Sequence, residues 1–361
     1  MFLALRDLRV GRARFVLVGV VIGLVGLLTT LLSGLATGLV DDGISGLRGL
    51  PLTHLALQPG AESSFSRSTL RPENLKPWEQ ADGVEVAPLG VSFFNAKTAA
   101  GETLDLAMFG TTPDSFLAPN AEARGSLAGT PGVVLSEEFK KEGVQVGDLL
   151  TVVGPDKELP VLGFTYTGSY GHVDIAFTSL AVWQDLVYGD NAAGRFSAVA
   201  IRGGDAGTYA AADRAADTAT ESKAHAYAGS PGYAAETATM SLIRGFLLAI
   251  SALIVGAFFT VWTVQRTRQI GLMKALGASN AYVLRDALGQ LAIVLTAATA
   301  AGAGIAVAVG QLIGDGVPFS LQTVPVVTSA LILIVLGLAG SLVAIRKVTT
   351  VDPIIALGAD H

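Results

Sequence analysis

Glu236, Met240 and Arg244 are spaced four residues apart, so on a helix they form one column. Tyr233 lies one turn earlier, and His225 and Tyr227 come before it. Carboxylate, thioether and phenol groups can ligate a metal, and a guanidinium pairs with anions. Plainer roles fit the same residues. A Tyr near a membrane interface is an anchor, a Glu caps a helix or pairs with a cation, and a Met packs. Spacing alone leaves both readings open. His54 and His172 stand apart from this column and read as ordinary surface histidines.

Other chemistries lack their parts. There is no Cys, so neither a disulfide nor thiol chemistry is expected. The phosphate-cradling pattern G-x-x-x-x-G-K-[ST] does not occur, nor does the zinc pattern H-E-x-x-H. The nucleophile pattern G-x-S-x-G is missing too. The chain is therefore not expected to be an enzyme, and no intrinsic cofactor is expected.

The elements that would carry this column are membrane helices. Of the 361 residues 51% are hydrophobic and only 15% charged, and the apolar residues fall in blocks. Four blocks are long enough to span a bilayer as helices, where every backbone amide must bond within its own segment. Arg6, Arg9, Arg12 and Arg14 precede the first block, Arg266, Arg268, Lys274 and Arg285 lie between the second and third, and Arg346 and Lys347 follow the fourth. Cytoplasmic loops collect such cations, so both termini are expected inside. The first apolar run is too long for the core of a signal peptide and reads as a retained helix.

The chain then divides into a cytoplasmic amphipathic segment (1–14), a first membrane helix (15–40), an outer domain (41–240) and a second helix (241–265). A cytoplasmic segment (266–285), a third helix (286–314), a short outer loop (315–325), a fourth helix (326–345) and a cytoplasmic tail (346–361) follow. The outer domain is acidic and is the source of the whole chain's net charge of −6, which argues against a nucleic-acid partner there. Its alternating stretches, such as "GVEVAPLGVSFFNAKT", read as strands, "SEEFKKEG" as a short capped helix and "DAGTYAAADRAADTATESKA" as an Ala-rich helix. "SSFSRSTLRPEN" and "YAGSPGYAA" read as loops. The fold class is a membrane protein of four transmembrane helices, with a large extracellular α+β domain between the first and second. Small residues recur at spacing four, as in Gly19/Gly23, Gly34/Gly38 and Gly302/Ala306/Gly310, and let helix backbones approach closely.

Between the second and third helices stands "VQRTRQIGLMKALGAS". On a helix Ile270, Met273 and Leu276/Gly277 share one side, flanked by Arg268 and Lys274. Such a segment can dock in a groove of a soluble partner or rest on lipid headgroups. Here the sequence resembles the MacB/FtsX family of ABC transporter permeases. The resemblance rests on Arg266, Arg268, Ile270, Gly271, Leu272, Ala275, Leu276, Gly277 and Ala278, and on Asp352, Pro353 and Ala356–Leu357 near the C-terminus. "LALRDLRVGRARFVLVGVVIG" resembles the family's amphipathic start, and "GVQVGDLLTVVG" with "LPVLGFTYTG" resembles a strand pair of its outer domain.

The resemblance implies a type VII ABC efflux permease in the cell membrane, working as a homodimer. It also implies two copies of a cytoplasmic ATPase that carry ATP and Mg, coupled through Arg266, Arg268, Ile270, Gly271, Leu272, Met273, Lys274, Leu276 and Gly277. In size, topology and lack of a fused ATPase the chain is most similar to the haem-export branch of Gram-positive bacteria. Under that reading haem is the substrate, and Tyr227, Tyr233, Glu236, Met240 and Arg244 are its candidate contacts. Glu236 or Met240 would take the iron, and Arg244 a propionate. The alternatives are a mechanical transmitter acting on a lipoprotein or cell-wall hydrolase, and an efflux permease for drugs or antimicrobial peptides.

Overall fold

The computed structural model describes residues 12–265, 272, 276–313 and 317–349. Four helices are long and apolar enough to cross a membrane. The first is Arg12–Gly49, the second Tyr233–Gln265, the third Asn280–Gly310 and the fourth Thr323–Thr349. The chain forms two compact units: a membrane unit of Met1–Leu39 with Thr237–His361, and an outer unit of Val40–Glu236.

In the membrane unit the helices meet where side chains are small. A Cβ added to Gly302 of the third helix would lie 2.1 Å from the carbonyl oxygen of Gly23 in the first, so the two backbones touch. Around this contact Val18 and Ile22 pack with Val294, Leu295 and Ala298. Gly337 of the fourth helix faces Leu295 of the third and Val255 of the second. The pair Gly34/Gly38 serves a loop: Phe319 and Pro318 sit against these glycines. Each of the three small-residue groups thus has a partner within the chain.

The outer unit is built on a mixed ten-stranded sheet. Its strands are β1 (His54–Leu57), β2 (Val84–Lys97), β3 (Thr103–Thr111), β4 (Val133–Ser136), β5 (Leu149–Val152), β6 (Lys157–Thr165), β7 (Ser169–Tyr170), β8 (Val173–Ser179), β9 (Ala198–Gly203) and β10 (Ala219–Ser222). The order is β10-β1-β9-β2-β3-β8-β4-β6-β5, with β7 paired to β8. The far end returns to the middle, because Ala96 and Lys97 of β2 pair with Val152 and Thr151 of β5. Strands β2, β3, β8, β4, β6 and β5 therefore close into a ring. Pairs β3–β8 and β4–β6 are parallel and the rest antiparallel. One face of the sheet buries Leu106, Met108, Leu135 and Phe139, among others, and the other Phe109, Phe177, Leu89 and Tyr170. Trp183, from the helix Leu180–Tyr188, lies so close to Gly90 and Gly110 of the β2–β3 pair that a Cβ at either would meet it at 2.3–2.4 Å.

Local readings of the outer unit differ from the sequence expectation in three places. "YAGSPGYAA", read as a loop, holds a 3-10 turn (Tyr227–Gly229) and the start of the helix at Tyr233. The Ala-rich stretch is helical only over Ala206–Ala216. Asp217 then turns left-handed (φ +53°), and the Asp213 carboxylate accepts from Thr218 Oγ1, Thr220 Oγ1 and Thr220 N. Those bonds end the helix and release Ala219–Ser222 to pair with β1. The stretch read as a loop before residue 75 holds a 3-10 turn, Phe65–Arg67, and opens the helix Pro72–Glu79. Its start is fixed by Pro at the first helical position and by Asn74 Oδ1, which accepts from Arg71 N at 2.9 Å.

Candidate functional site

The outer unit gathers three ionisable residues that are far apart in sequence. They come from the C-terminal turns of the first helix, a hairpin and the first turn of the second helix. Tyr170 of β7 pairs with Val173 of β8, so Gly171 and His172 form a two-residue turn. Both have positive φ, +60° and +62°. This is the sign pattern of a type I′ hairpin, which suits Gly but strains an imidazole-bearing residue. The tip is held in place by Gly171 N donating to Gly43 O (2.9 Å) and Ser169 N donating to Ser45 Oγ (2.9 Å).

The turn aims the His172 ring between two carboxylates. Nδ1 lies 2.8 Å from Asp42 Oδ2, and Nε2 lies 2.9 Å from Glu236 Oε1. Ser169 Oγ donates to the other oxygen of Asp42 at 3.1 Å. The other oxygen of Glu236, Oε2, is buried with no partner. Burial pulls the His172 pKa down, but the bonds to Asp42 and Glu236 outweigh it and the net shift is upward. Beside Gly171 of the turn, Phe93 is 45% exposed and stacks on Tyr170 with centroids 5.9 Å apart.

The column predicted from sequence is thus engaged piece by piece. Tyr227 and Tyr233 pack on each other with centroids 6.3 Å apart, and burial raises the Tyr227 pKa while Arg48 opposes the rise. Glu236 is held by His172, and Met240 is half-buried on the second helix. In the membrane unit Arg244 donates to Ser33 O at 3.1 Å and to Ser33 Oγ at 3.3 Å, while its Nε is buried without a partner. A cation placed in hydrocarbon is expensive. Sequence reading took His172 for an ordinary surface histidine and passed over Asp42, since nothing in their spacing ties them to Glu236. The one available signal was a His in the second position of a hairpin turn.

The membrane unit also carries an apolar groove of about 670 Å³ along the first and third helices, lined by Val20, Leu24, Leu27, Ala297, Ala301 and Ile305. Of the coupling residues, Arg266, Arg268, Ile270, Gly271, Met273 and Lys274 lie outside the described residues. Leu272 and Leu276 are 57% and 81% exposed, and Leu276 N donates to Leu272 O at 3.0 Å, a helical bond. Gly277 follows with φ +95°, the left-handed residue that commonly ends a helix, and Ser279 caps the third helix through Tyr282 N.

Four membrane helices with an outer α/β unit inserted after the first define a multi-pass membrane protein with an extracellular domain. Residues 241–353 match the family described as FtsX-like permease C-terminal, so that part of the chain is an FtsX-like permease domain. Over 358 residues, covering 99% of both chains, it is 24% identical to the hemin transport system permease protein HrtB of Staphylococcus haemolyticus. It is 29% identical over 127 residues to the macrolide export ATP-binding/permease protein MacB of Wolinella succinogenes, covering 34% of this chain and 20% of that one. Among solved structures, the periplasmic region of MacB from Actinobacillus actinomycetemcomitans is 12% identical with a TM-score of 0.36, covering 51% of this chain and 94% of that one.

Proposed function

We propose that this chain is the membrane subunit of an ATP-driven exporter that removes haem from the membrane or cytoplasm. The observation that carries the reading is the end-to-end similarity to hemin transport permeases, where the similarity to a macrolide exporter covers only a third of the chain. The chemistry agrees with it. A porphyrin is a flat apolar plate with two carboxylates, and the membrane unit offers an apolar groove and a guanidinium in hydrocarbon. By their spacing on the second helix, Glu236 or Met240 supplies the iron ligand and Arg244 meets a propionate, with Tyr227 and Tyr233 beside them.

Export needs two copies of the chain and two copies of a separate ATPase that binds ATP and Mg. The exposed Leu272 and Leu276, with the cationic residues around them, seat on that ATPase. The test is haem added to the purified permease–ATPase complex in lipid. A Soret band and haem-stimulated ATP hydrolysis, both reduced by Met240→Ala or Glu236→Ala, are the expected results. Hydrolysis that ignores haem but responds to a macrolide or a cationic peptide moves the chain to drug efflux. Indifference to all three, with a co-purifying cell-wall hydrolase, makes it a mechanical transmitter.

A further inference from the structure

A second groove in the membrane unit, of about 620 Å³, runs between the third and fourth helices and shares no residue with the one along the first and third. Leu284 and Leu288 wall it on one side, Leu338 and Leu342 on the other. Its floor is Gly289, Ala292 and Ala339, which have little or no side chain. A methyl group placed on Gly289 would meet nothing within 4 Å, so the groove is open down to the backbone.

At the end nearest the start of the third helix stands Arg285, exposed and without an ion-pair or hydrogen-bond partner among the described residues. The acid beside it is engaged elsewhere, since Asp286 Oδ2 accepts from the fully buried Gln290 at 2.9 Å. Tyr282, 49% exposed, is the kind of residue that settles at a membrane interface. In the sequence Arg266, Arg268 and Lys274 come before this end of the third helix, and Arg346 and Lys347 close the fourth. Such a concentration of cations marks the cytoplasmic side.

An apolar groove in a bilayer is filled by lipid or by another protein surface, and its length decides between them. Along the third helix the lining runs from Ala281 to Ala292, about 16 Å at 1.5 Å per residue. The hydrocarbon core is about 30 Å thick, so the groove is one leaflet deep. A helix packed from another chain needs a seam through both leaflets, whereas an acyl chain needs only one. The charge selects the headgroup. A guanidinium holds a phosphate through paired N–H donors, and basic pockets between helices on the cytoplasmic side bind anionic lipid headgroups. An arginine that only anchors its helix lays its stem on the surface and needs no slot of small residues beneath it.

We propose that the third and fourth helices hold one anionic phospholipid of the inner leaflet, with its phosphate on Arg285 and one acyl chain laid over Gly289 between the leucine walls. The lipid bridges the two helices at the end where Gly277 and Ser279 lead into the third.

The test uses the full-length protein in a non-ionic detergent, titrated with palmitoyl-oleoyl phosphatidylglycerol or the matching phosphatidylcholine and read by native mass spectrometry. One phosphatidylglycerol per chain is expected, held about fivefold more tightly than phosphatidylcholine, the effect of one cation at a membrane surface. Arg285→Gln should erase that preference, and Arg214→Gln, in the outer unit, should leave it intact. Gly289→Phe enters open space, so it should fold with an unchanged melting temperature and yet lose the lipid of either headgroup. Ala339→Phe closes the slot from the fourth helix and should act alike. Equal retention of both lipids by the wild type, or phosphatidylglycerol held unchanged by the two Phe variants, overturns the proposal. So does a dimer that falls apart in Gly289→Phe, since a second copy then covers the groove.

Discussion

Asp174 shows how a single side chain sets a pH response. Burial, with Glu138, Glu142 and Asp42 nearby, pushes its carboxyl up to about 6, and Lys141 only partly opposes this. The folded state therefore holds this proton more tightly than the unfolded chain. The associated stability is fully present below the unfolded pKa, close to 3.8, and is lost as pH rises through about 6. Asp174→Asn should raise the melting temperature at pH 7.5, and the gain should vanish by pH 4; a gain of equal size at both would contradict this origin. The neighbouring cluster shows what a sequence reading cannot reach at this scale. Glu236 stood out because helical spacing made it part of a column. Asp42 and Glu236 lie 130 and 64 positions from His172, and only a folded hairpin shows that both share one imidazole.

Between helices, the contact of Gly302 with Gly23 leaves no room for a methyl group, whereas Gly304, two residues on, faces open space. Gly302→Ala should cost about 1–3 kcal/mol by forcing the first and third helices apart. Gly304→Ala should be neutral or gain about 0.5–1 kcal/mol, as expected for Ala replacing Gly within a helix. Unfolding in detergent titrations compares the two, and equal effects would show that the backbone contact is not tight. The small-residue spacing was visible in sequence, but its partners were not, because a stripe of glycine fits another chain as well as its own. The same limit explains the outer unit's misread segments. Thr218 leaves the Ala-rich helix and Thr220 joins a strand because the Asp213 carboxylate holds both and the waiting edge of β1 pairs with Ala219–Ser222. Local propensity carries no information about either.

For the molecule as a whole, the broad plan was legible because it follows from solvent. Four apolar runs with cations on one side leave few choices of fold and orientation. The proposed link to an ATPase rests on resemblance alone, and most of that segment lies outside the described residues. Its described part still allows a clear test. Leu276 is 81% exposed, so Leu276→Asp should leave the melting temperature of the permease within about 0.5 kcal/mol equivalent of wild type. It should also abolish co-purification of the ATPase subunit and substrate-stimulated ATP hydrolysis. Retained pull-down with this variant would remove the leucine pair from the coupling role.

The return of β5 to β2 bears on how the extracellular domain yields under load. An open sheet can fray from its outermost strand, one row of amides at a time. Six strands joined end to end have no outermost member, so they come apart together or stay together. Deuterium uptake in β2, β3, β4, β5, β6 and β8 should share one slow rate, with β10, the terminal strand of the path, exchanging ahead of them. Any work delivered to this domain would then shift it as a block instead of unravelling it.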